Sequence, residues 1–200
     1  MNLSKNSKRY DFLESGWCSE ESECRIVKSP NFDARPDNIT IDVLVIHNIS
    51  LPTGQFGGKE IENLFLNQLD TSKKVFQPLV GLKVSSHFFI ERTGALVQFV
   101  SLWDRAWHAG ESSFLGRKGC NDFSIGIEIE GTDFVEFNNE QYVTLKNLIL
   151  SIKFFLPSLN AITSHSFIAP NRKTDPGPFF EWSKVSEAIE KSKKNFFLFP

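Results

Sequence analysis

Cysteine is scarce in this chain: three residues in 200, at Cys18, Cys24 and Cys120. An odd number without a regular framework argues against a disulfide scaffold. Cys18 and Cys24 stand too far apart in sequence for a C-x-x-C metal knuckle, and no H-E-x-x-H motif occurs. Reduced thiols in a reducing compartment are the expectation. No apolar stretch is long enough to span a membrane. The basic residues Lys5, Lys8 and Arg9 are not followed by the apolar core of a signal peptide. The sequence therefore reads as cytoplasmic, with no membrane partner. An excess of one charge is also lacking: the net charge of −2 gives nucleic acid no global electrostatic support as a partner. Tyrosine is rare, two residues against twenty phenylalanines, so the aromatic content points to packing.

What is present suits one soluble domain. Hydrophobic residues at 40% and charged residues at 23% are ordinary values, and 200 residues can bury a sizeable core. Residues 1 to about 40 carry turn chemistry (Ser29-Pro30-Asn31, Arg35-Pro36-Asp37-Asn38) and read as an irregular arm, disordered over 1–15. Residues 41–48 form a β-branched run, with Ile41, Val43, Val45 and His47 on one face and Leu44 and Ile46 on the other, as in a buried central strand. Helical spacing follows in 59–70, and 71–83 reads as a loop. A hairpin is expected from 84–90 and 95–100 around Arg92-Thr93-Gly94. Residues 111–122 read as a loop. In 124–131, Ile125, Ile127 and Ile129 face one way, while Gly126, Glu128 and Glu130 face the other. Glycine beside acid leaves room for a ligand or metal near the carboxylates, and an exposed polar face explains the same pattern equally well. Asn138 with Gln141 forms a capping box for a helix ending before Pro157. A last helix runs from Phe180 to about Lys194. The domain is placed at 16–194, with 195–200 as a tail.

The chemistry concentrates in residues 163–178. An imidazole (His165), an ammonium (Lys173) and a carboxylate (Asp175) share one segment closed by Pro176-Gly177-Pro178. Pro176 disfavours helical geometry at Asp175, so the segment is expected as an irregular loop leaving a strand over 161–163. Together with His47 and Glu128, these residues could converge. Two imidazoles and a carboxylate leave a fourth tetrahedral position open, the arrangement of catalytic zinc. Such a metal activates water, a further carboxylate takes its proton and an ammonium stabilises an oxyanion, which together describe amide hydrolysis. Spacing alone does not select these residues. A solvated surface turn, or a packed histidine at a strand end, accounts for each piece taken singly.

Resemblance selects them. The runs Val45-Ile46-His47-Asn48-Ile49-Ser50-Leu51-Pro52, Arg105-Ala106-Trp107-His108-Ala109-Gly110, Cys120-Asn121-Asp122-Phe123-Ser124-Ile125-Gly126-Ile127-Glu128 and Ile168-Ala169-Pro170-Asn171-Arg172-Lys173-Thr174-Asp175-Pro176-Gly177-Pro178 closely resemble the zinc N-acetylmuramoyl-L-alanine amidases. That family also includes the peptidoglycan recognition proteins. The resemblance extends in order from about Gly16-Trp17 to the last helix and is greatest to the cytoplasmic anhydro-muropeptide amidases of peptidoglycan recycling. It implies a Zn²⁺ cofactor held by His47, His165 and Asp175, with Glu128 and Lys173 serving catalysis. More distant relatives carry cysteine in place of Asp175, so aspartate points to the recycling branch. Substrate contacts would fall on Asn48, Lys83, Trp107 and Ala169, with Lys83 standing where the family has arginine. Gly119 likewise stands where the family places an arginine for the stem-peptide carboxylates, and Arg117 and Lys118 are the nearest replacements. His87 and His108 are expected in supporting positions.

The expected fold is therefore α/β: a single domain with a mixed central sheet flanked by helices. The expected activity is cleavage of the bond between the lactyl group of anhydro-N-acetylmuramic acid and L-alanine. Through muropeptide levels that activity would touch β-lactamase induction. No protein partner is implied. The rival is a non-catalytic muropeptide-binding module, which metal content and turnover would separate from the enzyme. A wall amidase acting outside the cytoplasm is disfavoured by the missing export signal.

Overall fold

Alternating isoleucines decide how the central sheet is covered. The computed structural model describes residues 9–192 and 195–200. Its strands in chain order are β1 (Cys24–Ile26), β2 (Phe32–Asp33), β3 (Val43–Ile49), β4 (Phe88–Ile90), β5 (Leu96–Gln98), β6 (Arg105–Ala106), β7 (Ser113–Phe114), β8 (Arg117–Lys118), β9 (Ser124–Glu130), β10 (Ala161–Ser164) and β11 (Phe197–Phe199). The helices are α1 (Glu60–Phe65), α2 (Asn139–Phe155), α3 (His165–Ile168) and α4 (Trp182–Ser192). Among the described residues, seven strands form one sheet in the order β1-β5-β4-β9-β3-β10-β11. The β4–β5 hairpin is antiparallel and the other pairs are parallel, so the sheet is mixed.

Leu44, Ile46, Ile125, Ile127 and Ile129 face one side, where Leu145, Leu148, Ile149 and Ile152 of α2 and Val185 of α4 complete the main core. The capping box of Asn138 and Gln141 starts α2. On the opposite face, Val43 and Val45 pack with Ala109, Phe114, Phe123 and Ile168. Nearer β4 and β5, Phe89, Val97 and Phe99 pack with Ile61, Leu64 and Phe65 of α1. All seven residues of β9 are buried, which excludes the exposed polar face that its alternation allowed.

Several boundaries differ from the pattern-based expectation. Helix α1 stops at Phe65 instead of running to residue 70, and Asn67 sits at φ 59, a left-handed position that ends a helix. The expected loop 71–83 contains a 3₁₀ turn at Lys74–Leu79. Within 111–122, β7 and β8 form a small hairpin around Leu115 and Gly116, both at positive φ. The first forty residues are not a free arm. Tyr10 is buried, its backbone N–H donates to Ser151 Oγ at 2.9 Å, and β1 pairs with β5. The disorder expected over 1–15 falls partly on residues 1–8, which lie outside the described residues. The expected tail 195–200 is also part of the fold: β11 pairs with β10, and Phe199 packs on Phe114 and Phe167. The expected end of the last helix, residues 193–194, lies outside the described residues.

Candidate active site

Strand register builds the site. His47 on β3 stands opposite Glu128 on β9. One step before it, Ile46 stands opposite Ser164 on β10, so His165 follows at the level of His47. Three adjacent parallel strands thus bring a carboxyl and two imidazoles to one level near their C-terminal ends, where open α/β sheets place ligands. His165 is not on an irregular loop. It opens the short helix α3, whose cap Ser164 accepts the Phe167 N–H at 3.0 Å. The chain then turns back through Lys173 and Asp175. The Lys173 and Arg172 N–H groups donate to the Ala169 carbonyl, each at 3.1 Å, and the Ser166 N–H donates to the Asp175 carbonyl at 3.0 Å.

Three ligand atoms converge there. His47 Nδ1 lies 2.9 Å from His165 Nδ1 and 3.2 Å from Asp175 Oδ2, and His165 Nδ1 lies 3.0 Å from Asp175 Oδ2. His165 Nε2 is 3.2 Å from the Ala109 carbonyl, which can only accept. His165 therefore carries its proton on Nε2 and turns a bare Nδ1 toward the other two atoms. A cluster of potential ligand atoms this tight suits a cation. Ligands held tetrahedrally at about 2.0–2.1 Å from zinc stand roughly 3.3 Å apart, close to these edges. His47, His165 and Asp175 thus fit a single metal ion.

The electrostatics agree. Burial pushes His47 down to about 4, with His165 adding to the effect, so the imidazole is neutral and free to ligate. Burial opposes ionisation of Asp175, but the imidazoles of His165 and His47 beside it hold the carboxyl below its usual range. Glu128 behaves oppositely. Burial and the Asp175 charge raise it well above the usual carboxylate range, with Lys173 pulling the other way. Its Oε2 is buried and has no hydrogen-bond partner. Glu130, two residues on, accepts the Gly57 and Arg92 N–H groups at 2.5 and 2.8 Å and is therefore structural. Glu128 is the carboxyl left available.

The remaining expected residues divide. Asn48, Asp133, Lys173 and Asp175 line one recess of about 320 Å³, in which Asn48 Nδ2 donates to Asp133 Oδ1 at 2.7 Å. Ala169 lines a neighbouring recess with Lys118 and Arg172. Trp107 donates its indole N–H to Asp33 Oδ1 at 3.1 Å, and Arg105 grips the same carboxylate through both oxygens. Lys83 lines a different recess, with Leu64, Asn67 and Leu69. Of the two cations near Gly119, Arg117 is tied to Asp42 at 2.8 Å and stacks over Phe123, leaving Lys118 to face the recess. The space beside Gly126 is not a ligand cavity, because a methyl group there would collide with the His108 ring.

Residues 37–178 match the model of the N-acetylmuramoyl-L-alanine amidase family. The chain belongs to that family. The 1,6-anhydro-N-acetylmuramyl-L-alanine amidase AmpD of Citrobacter freundii is 45% identical over 182 residues, spanning 90% of this chain and 96% of the relative. A crystal structure of a selenomethionyl AmpD derivative is similar at TM-score 0.84 and 45% identity, covering 88% of this chain and 98% of that one. The Escherichia coli amidase AmiD, in complex with its substrate anhydro-N-acetylmuramic acid-L-Ala-D-γ-Glu-L-Lys, is similar at TM-score 0.55 and 27% identity, covering 77% of this chain and 60% of that one.

Two residues of this amidase had no assigned role before the fold was known. Asp133 orients Asn48, and Arg172 ties 168–173 to the next loop by donating to the Ala109 and Glu111 carbonyls, both at 2.6 Å. Asp133 follows the strand acids in Glu128-Ile129-Glu130-Gly131-Thr132-Asp133, and Arg172 adjoins Lys173, so proximity to the motifs was the one signal available.

Proposed function

We propose that this amidase hydrolyses the amide between the lactyl group of anhydro-N-acetylmuramic acid and L-alanine in cytoplasmic muropeptides, using Zn²⁺ held by His47, His165 and Asp175. The observation that carries this reading is the convergence of two imidazole nitrogens and a carboxylate oxygen within 3.2 Å of one another, level with a buried, unpartnered glutamate. Two nitrogens and one oxygen suit zinc, which would supply an activated water and a polarised carbonyl. The names of the AmpD relatives and the substrate of the AmiD complex support the anhydro-muropeptide as substrate.

Glu128 takes a proton from the attacking water. Water oxygen adds to the lactyl carbonyl carbon, the carbon–nitrogen bond breaks, and Glu128 returns the proton to the departing L-alanine amine. A carboxyl lifted above its usual range can hold that proton as well as release it. The Lys173 ammonium lines the same recess as Asp175 and stabilises the oxygen as it becomes anionic. Asn48 is pre-oriented by Asp133 to contact the lactyl-sugar end; Trp107 and Lys83, which the resemblance assigns to the sugar, line neither the recess of Asp175 nor that of Ala169. Ala169 and Lys118 border the adjoining recess, where the stem peptide and its carboxylates would lie. Turnover would lower the anhydro-muropeptide pool and so bear on β-lactamase induction.

The test is mass spectrometry of an anhydro-N-acetylmuramyl tripeptide incubated with zinc-loaded protein. Free anhydro-N-acetylmuramic acid and tripeptide are expected. A product cut elsewhere in the peptide, or intact substrate, would overturn the reading. The anhydro form is expected to exceed the ordinary, reduced muropeptide in kcat/KM, and equal values would favour a general wall amidase.

A further inference from the structure

We propose that His108, anchored through Ser124, sets the tautomer and orientation of His47 and is a positioning residue for the metal. The inference rests on reading His47 as a ligand. His47 Nε2 lies 2.9 Å from His108 Nδ1, and the two rings meet edge to face at 84°. His108 Nε2 lies 3.2 Å from Ser124 Oγ, which lies 2.5 Å from the Cys120 carbonyl.

The carbonyl at the end of this chain fixes its direction. A carbonyl only accepts, so the Ser124 hydroxyl donates to Cys120 and has lone pairs left for His108 Nε2–H. A neutral His108 with its proton on Nε2 has a bare Nδ1, which accepts the His47 Nε2–H. His47 is then left with a bare Nδ1, the atom that faces His165 and Asp175. Reversing any link would point two protons, or two lone pairs, at each other.

Packing holds His108 in place. It is buried, and its ring fills the space that Gly126 leaves open. Gly126 is itself clamped by His87, whose Nδ1 accepts the Gly126 N–H at 3.0 Å while its backbone N–H donates to the Gly126 carbonyl at 3.2 Å. A ligating histidine whose far nitrogen lacks its partner loses orientation and basicity, and such losses weaken metal binding by about 10–100-fold.

Two measurements test the proposal. Imidazole ¹⁵N shifts of the zinc-loaded native protein should show His47 and His108 both protonated at Nε2, and a proton on Nδ1 of His108 would overturn it. Zinc affinity by chelator competition should fall about 10–100-fold in His108→Phe, recover in part in His108→Gln and fall less in Ser124→Ala. If His108→Phe does not fold, Ser124→Ala and the ¹⁵N shifts carry the test. Unchanged affinity in folded His108→Phe, alongside lost zinc in His47→Ala, would overturn the positioning role while leaving the ligand assignment intact. Zinc retained at full affinity by His47→Ala would overturn both.

Discussion

At the scale of residues, holding the metal and moving the proton fall to different side chains in the proposed mechanism. His165→Ala removes one corner of the trio and is expected to abolish both zinc binding and turnover; zinc analysis with a muropeptide assay checks both, and wild-type turnover would refute the ligand assignment. Glu128→Gln touches none of the three ligand atoms. It should keep zinc and lose about 10²–10⁴-fold in rate, the usual cost of removing a general base. Unchanged turnover with zinc retained would remove Glu128 from the mechanism. Lys173 is exposed at the mouth of the recess, while its backbone is pinned to the Ala169 carbonyl. Lys173→Ala should lower kcat by about 10²–10³-fold with little change in KM, since the charge is needed as the oxyanion forms. Lys173→Arg should rescue poorly, because a planar guanidinium does not occupy the position of an ammonium. A rise in KM at constant kcat would make Lys173 a binding residue instead.

At the scale of elements, the site depends on β10 being held between two partners. One is β3; the other is β11, whose Phe199 joins Phe114 and Phe167 in an aromatic cluster beneath α3. Deleting residues 195–200 should cost about 1–3 kcal/mol for the lost aromatic burial and lower Tm by several degrees, readable by thermal unfolding. An unchanged Tm would show that β11 contributes nothing to the fold. Much of this architecture was legible in the sequence. The run 41–48 and the alternation in 124–130 encode burial locally, so β3 and β9 could be read with their faces assigned, and the capping box marked the start of α2. The level shared by Glu128, His47 and His165 could not be read, because it is a register among three strands distant in sequence. Nor could β11, three residues too short to carry a period. Glycine beside glutamate on β9 suggested open space, and only tertiary packing shows that an imidazole fills it.

At the scale of the molecule, the buried imidazoles make stability depend on pH. Burial, with the Arg35 guanidinium close by, drives His87 well below its ordinary 6.5. In the unfolded chain the same ring protonates near 6.5, so below that pH the unfolded state binds more protons. Stability is therefore full above about pH 6.5 and lost as the pH falls toward the folded value, at up to about 1.4 kcal/mol per pH unit for this one ring. Urea unfolding between pH 7.5 and 5 should show that decline, and a flat profile would mean that His87 is solvated. Among the described residues no helix is long and apolar enough to cross a membrane. What would join the three scales is the proposed cation at the level where β3, β9 and β10 meet. Anomalous scattering at the zinc edge from crystals of the zinc-loaded protein tests this most directly. A single peak is expected within bonding distance of His47 Nδ1, His165 Nδ1 and Asp175 Oδ2. A peak at any other set of residues would contradict it.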